Sequence, residues 1–246
     1  MLKHNLKLND DKTKDLILTS ILHRSTHSIS QVVVREAPIA PKLTVNNLGT
    51  MFDQWLTMDV FIKHICKTVY FYLHNISSIW NWFSKEFAIT LVHAFIESWL
   101  DYCSTMLVGI TGTSLVKLQR IQNMAARLVT KTSKRDHIIL IFRALLWLEV
   151  RYRIIFKVLL LTFIDLNNLA ADYLTLQLDT YIPQSQLKSS NSSLLTVLCT
   201  RLEIAGDRAF THFAPHIWND LPLHIRRTDK LNNFKSMLKL HLFIQA

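Results

Sequence analysis

The chain has 246 residues, half of them apolar, with 28 Lys and Arg against 18 Asp and Glu for a formal net charge of +10. That much apolar side chain drives collapse and excludes a disordered tail, while four glycines and five prolines exclude collagen-like and linker-rich chains. Neither G-x-G-x-x-G nor G-x-x-x-x-G-K-S/T occurs, which removes dinucleotide and P-loop binding.

In chain order, the first fifty residues read as β-rich. Asp15–Ser20 and Ile29–Val34 are short apolar or β-branched runs between polar residues, and Pro38 and Pro41 break the chain. Lys42–Asp53 suggests a further strand with a turn or bulge near Asn47 and Gly49. From Thr57 the period becomes helical. Thr57 is the expected cap of a helix over Met58–Asn75, with Phe61, Ile65, Val69 and Tyr72 or Leu73 on one face. Ser84 caps a second helix, with Glu86 near its start and Leu91, Phe95 and Ile96 inward. Further helices are expected at 114–131, 136–146, 150–168, 207–219 and 229–243. Residues 180–200, rich in Ser and Gln, read as a linker. The expected fold is mainly α with a small N-terminal β element. Its segments are 1–53, 54–179, the linker, and 201–246.

Charge is unevenly placed. Residues 111–160 hold ten bases and two acids, a net +8 of the total +10. Such a balance favours a polyanionic partner, nucleic acid or an acidic surface. Lys117, Arg120, Arg127, Lys131 and Lys134 fall on one side of a helix, opposite Leu115, Leu118, Ile121, Gln122, Ala125, Leu128 and Val129. Ser114, after the helix-breaking Gly112, is the expected cap. No acid stands between Lys117 and Arg135, whereas a salt-bridged surface helix interleaves the two signs. A solvated helix face is the ordinary reading of a charge stripe, and the missing acids put phosphate contact slightly ahead of it here. Five such contacts would give a log–log salt slope on the order of −4 on duplex.

Catalytic and metal chemistry find little support. His23/His27 and His212/His216 have helical spacing, but neither forms H-E-x-x-H, and Pro215 spoils a regular helix at the second pair. Asp10-Asp11, the one adjacent carboxylate pair, sits between Asn9 and Lys12 in a turn-like setting. Cys66, Cys103 and Cys199 are too scattered for zinc or a disulfide framework and read as reduced thiols. No metal or cofactor is expected. The N-terminus lacks a signal-peptide stretch. The most apolar region, Ile138–Ile164, is interrupted by Arg143, Glu149, Arg151, Arg153 and Lys157, unlike a span of about 20 uncharged residues. The expectation is an intracellular chain, cytoplasmic or nuclear, with no membrane partner.

Several segments together carry a resemblance. They are Leu6-Lys7-Leu8-Asn9-Asp10-Asp11-Lys12-Thr13, Asn46-Asn47-Leu48-Gly49 through Asp53, Leu100-Asp101-Tyr102-Cys103, Lys117-Leu118-Gln119-Arg120-Ile121-Gln122-Asn123 through Leu128, and Asp136-His137-Ile138. Gly206-Asp207-Arg208-Ala209-Phe210, Trp218-Asn219-Asp220-Leu221-Pro222 and Phe234-Lys235 complete the set. In this order they resemble the end of the palm, the thumb and the C-terminal region of reverse transcriptases from LINE-type non-LTR retrotransposons, the jockey-like and chicken-repeat-like group.

The resemblance implies a helical thumb-like bundle after the end of a palm, with RNA or DNA template–primer as partner through backbone phosphates. It places the family's metal-binding aspartates, one pair in an F/Y-x-D-D turn, upstream of the L-K-L-N segment. Asp10-Asp11 lies inside that segment and is not the catalytic pair, so no DNA synthesis is expected from this chain. Ser104 stands where the family usually has asparagine, and Trp99, Glu149, Ala171 and Leu198-Cys199 where it usually has arginine or proline. Arginine to Trp or Cys, and proline to Leu, are the outcomes of single C-to-T or G-to-A changes, so the chain resembles a decaying copy no longer held to polymerase function. The alternative expectation is a non-enzymatic structural or protein-interaction module, or the non-functional product of a decayed element.

Overall fold

Turn chemistry explains the N-terminal hairpins. The computed structural model describes residues 13–19, 32–34, 37–82, 84–171, 177–181, 193–200 and 206–245. Strand β1 (Val32–Val34) pairs antiparallel with β2 (Ala37–Ile39), and β3 (Thr44–Asn47) with β4 (Thr50–Asp53). Leu48 and Gly49 join the second pair, both at positive φ (49° and 86°), the two-residue turn whose twist matches the flanking strands. Asn46 Oδ1 accepts from the Gly49 N–H at 2.9 Å. The expected turn near Asn47 and Gly49 is therefore a tight hairpin. Pro38, expected to break the chain, sits inside β2 opposite Val33, since a two-stranded ribbon has open edges where no N–H is needed. Asp15–Thr19 is not a strand. Isolated backbone bonds tie it, from Thr19 N–H to Gln54 O (3.0 Å) and from Lys42 N–H to Asp15 O (2.9 Å).

Asp53 ends β4 and starts α1 (Asp59–Ile79). Its carboxylate accepts from the N–H groups of Trp55, Thr57 and Met58 and from the Thr57 hydroxyl, all at 2.9–3.0 Å. Thr57, the expected cap, accepts from Asp59 N–H at 3.3 Å, so aspartate and threonine share the work. The chain divides into two compact units, Met1–Ile65 and Cys66–Ala246. The division falls inside α1, and Met58 just before the helix and Phe61, Ile62 and Ile65 in its first turns are almost completely buried.

The larger unit is helical. After α1 and a 3₁₀ turn at Trp80–Trp82 come α2 (Lys85–Val92), a π-helical turn at His93–Glu97, α3 (Ser98–Asp101) and a 3₁₀ turn at Ser104–Leu107. Then follow α4 (Gly112–Thr130), α5 (Ile138–Leu145), α6 (Val150–Leu166), α7 (Phe210–Asn219), α8 (Leu223–Arg226) and α9 (Leu231–Gln245). The mainly helical fold with a small N-terminal β element is thus as expected. Ser84 caps α2, its hydroxyl accepting from Phe87 N–H at 3.3 Å. The Glu86 carboxyl is held below its ordinary pKa by its own backbone N–H and then by the Ser84 hydroxyl. Phe95 is corrected: it is 42 % exposed, while Val92, Ile96 and Leu100 are buried. The π-helical turn inserts a residue into the period, and this rotates Phe95 outward and Glu97 inward.

Helix α6 is central, packing against α3, α4, α7 and α9. Phe163 stacks on Phe234 with centroids 4.2 Å apart, and Trp218 lies 5.8 Å from Phe234. Pro215, expected to spoil a regular helix, lies within α7 and is buried beside Ala214 and Trp218. The burial of this face offsets the one hydrogen bond a proline removes. At the ends of the expected linker 180–200, Thr180 bridges Leu195, and the Asn219 amide accepts from Leu195 N–H and donates to Leu195 O, both at 2.9 Å.

Gly109 is needed where it stands. Its φ is +65°, and an added Cβ would lie 2.6 Å from Arg208 Cγ. That side chain cannot swing aside freely, because Arg208 Nε donates to Val108 O at 2.7 Å. Gly109→Ala is expected to cost roughly 2–3 kcal/mol, combining the left-handed penalty with displacement of an anchored neighbour. The midpoint of urea unfolding on the full chain checks it.

Candidate nucleic-acid interface

The two-sided pattern of α4 in sequence becomes two faces in space. Leu118, Ile121, Gln122, Ala125, Ala126 and Val129 are buried, and Lys117 and Arg120 are exposed. The cap is Thr111, whose hydroxyl accepts from Ser114 N–H at 3.3 Å. Ser114, expected in that role, is 1 % exposed within the first turn, two residues beyond a Gly112 that is itself helical.

The helix ends at Lys131, which takes a left-handed conformation (φ 55°). Arg127, half-buried, holds the turn that follows: Nε donates to Ser133 O at 3.2 Å, and Nη2 to Asp136 O at 3.1 Å. Asp136 closes the turn by accepting from Ser133 N–H at 2.7 Å. Arg127 thereby fixes the segment that carries Lys134.

The five expected cations do not act as one row. Arg120, Arg127 and Lys134 line a common groove of about 870 Å³. One wall is α4, with Asn123 between the two arginines. The other is α1, which presents Tyr70, His74 and Ser77. Lys117 and Lys131 do not line it. Lys131 Nζ lies 5.4 Å from the centre of the Trp80 ring, a cation–π contact. Lys117 acts on the Cys66 thiol, which burial pushes up in pKa while the lysine charge opposes the rise. The sequence reading missed Tyr70 and His74. Their signal was there at i, i+4, on the polar side of a helix read only for its apolar side.

The polar residues between the cations position the wall. Gln119 Oε1 accepts from Val150 N–H at 2.9 Å, capping α6 from outside, and Gln122 Nε2 donates to Leu148 O at 2.8 Å. Gln119 Nε2 also donates to Asn123 Oδ1 at 2.8 Å. A fully buried glutamine needs such a partner, and here the partner locks α4 to the start of α6.

A second charged cluster lies on α3, α6 and the π-helical turn. Arg153 donates through Nε and Nη2 to Asp101 Oδ1 at 3.0 and 2.8 Å. Its Nη1 lies 3.1 Å from Glu97 Oε1 without hydrogen-bond alignment, so charge attraction dominates there. His93 Nδ1 meets Glu97 Oε2 at 2.6 Å, and Lys157 stands 3.5 Å from Asp101. Burial draws the Arg153 guanidinium down in pKa, but Glu97 and Asp101 outweigh it and leave it above its ordinary value. The arrangement ties α6 to α3 and offers no nucleophile.

Among the described residues, no group of three or more His, Cys, Asp or Glu side chains is placed to hold a metal ion. His212 and His216 each face their own aspartate, Asp207 at 3.9 Å and Asp220 at 3.7 Å. Asp10, Asp11, His23 and His27 lie outside the described residues. Among those described, no helix is long and apolar enough to cross a membrane. No family model, curated protein or solved structure matches the chain.

Proposed function

We propose that the chain is a nucleic-acid-binding module without polymerase chemistry of its own, derived from the thumb and C-terminal region of a non-LTR retrotransposon reverse transcriptase. The observation that carries the binding role is the groove in which Arg120, Arg127 and Lys134 converge on a stretch with no acid from Lys117 to Arg135. The ordered motif set supports the family origin. Backbone phosphates are the natural ligand of such a face, because cations that release condensed counterions bind without reading sequence.

Three groove cations, not five, predict a log–log salt slope of about −3 on duplex or about −2 on a single strand. Anisotropy titrations of labelled oligonucleotides with the full chain would measure it. Arg120→Gln with Lys134→Gln should flatten the slope by roughly 1.5–2, and Lys117→Gln with Lys131→Gln should leave it nearly unchanged. An equal effect from both pairs would remove the groove from the proposal, and no binding at low salt would overturn the function. Exposed Phe71, Trp82 and Phe87 favour a second reading, a protein-interaction module, which that last outcome would leave standing.

A further inference from the structure

Resting on the nucleic-acid reading, we infer that the groove between α1 and α4 takes a single strand, with bases against Tyr70 and His74 and phosphates along Arg120, Arg127 and Lys134. Charge distribution is the first ground. All the groove cations come from α4 and the turn after it, while the α1 wall offers Tyr70, His74 and Ser77. A duplex presents phosphates on both flanks and calls for cations on both walls. A single strand carries its phosphates along one side and its bases, with flat apolar faces, along the other, and this groove is divided in the same way.

Spacing is the second ground. Arg120 and Arg127 are two turns apart, about 10.5 Å along the helix, matching about three nucleotides of a strand that rises roughly 3.4 Å per residue. Tyr70 and His74 are one turn apart, about 6 Å, so a base can lie against either ring or between them. The Tyr70 side is 44 % exposed, leaving its ring open to a base. Stacking tolerates any base because every base has a π-face, so this strand would be held without sequence preference. Asn123, hydrogen-bonded to Gln119, keeps the wall between the arginines uncharged and set in place.

The test compares a labelled oligothymidylate and an oligouridylate of roughly a dozen nucleotides with a mixed-sequence duplex of equal length, at about 50 mM salt. The full chain should bind either single strand more tightly than the duplex. Tyr70→Ala should weaken single-strand binding about tenfold, an effect of the size expected from the loss of one stacked base. Tyr70→Phe should restore it, which separates stacking from loss of fold. Arg120→Gln should weaken single strand and duplex alike. Tighter duplex binding with no effect of Tyr70→Ala would overturn the single-strand inference and leave the nucleic-acid reading intact. Absence of binding to all three probes would overturn both.

Discussion

Arg153→Leu is expected to lower the stability of the larger unit by about 3–5 kcal/mol, the range for breaking a buried ion pair from one side. Arg153 is 15 % exposed and Glu97 10 % exposed. Removing the guanidinium leaves the largely buried glutamate carboxylate with His93 as its partner among the described residues. Asp101 loses both of its hydrogen bonds from Arg153, though Lys157 remains 3.5 Å away. The attraction therefore matters less than the cost of stranding an anion. It follows that Arg153→Leu combined with Glu97→Leu should recover a large share of the loss, because an apolar pair of similar volume pays no desolvation cost. Urea unfolding of the two variants checks this, with the slope constant and the midpoint moving. A double variant as unstable as the single one would show that packing around the π-helical turn, not charge, sets the stability there.

The same cluster shows where sequence reading stops. Arg143, Glu149, Arg151, Arg153 and Lys157 mark an apolar stretch as no membrane span, yet spacing cannot single out Arg153 among them. Its partners Glu97 and Asp101 lie more than fifty positions earlier, and long-range pairing leaves no periodic trace. The π-helical turn is equally silent: a regular 3.6 period carried through His93–Glu97 puts Phe95 inside, and one inserted residue puts it outside. By contrast, the Leu48–Gly49 turn, the Ser84 cap and the apolar arc of α4 were legible. Each depends on residues within a few positions of one another.

The candidate site was legible in part for the same reason. The period that groups Lys117, Arg120 and Arg127 is valid as far as the helix extends. It fails at Lys131, where the backbone turns left-handed, so Lys131 reaches Trp80 and Lys134 is placed by the carbonyl contacts of Arg127. Several residues that carry the family resemblance turn out to make long-range bonds. Gln119 caps α6, Asp101 accepts from Arg153, Arg208 donates to Val108 O, and Asn219 clasps Leu195. Their pattern in sequence therefore registers how helices far apart in the chain are joined, as well as any contact with a ligand.

Phe234→Ala is expected to cost about 3–5 kcal/mol, the range for deleting a buried aromatic side chain. Phe234 is fully buried, stacked on Phe163 of α6 and close to Trp218 of α7, so its ring joins three helices from widely separated stretches of sequence. The void would open beside Trp218, whose Nε1 donates to Ser193 O at 3.0 Å. Loosening should therefore spread from α9 to α7 and to the segment around Leu195. Limited proteolysis should then cut within residues 206–245 well before the rest of the larger unit, and urea unfolding should shift by the stated amount. Leu240→Ala on the same helix, at a side chain 63 % exposed, should change little. If the two variants behaved alike, α9 would contribute through helix propensity alone. A large gap between them would show that the C-terminal helices are held to α6 by this aromatic contact.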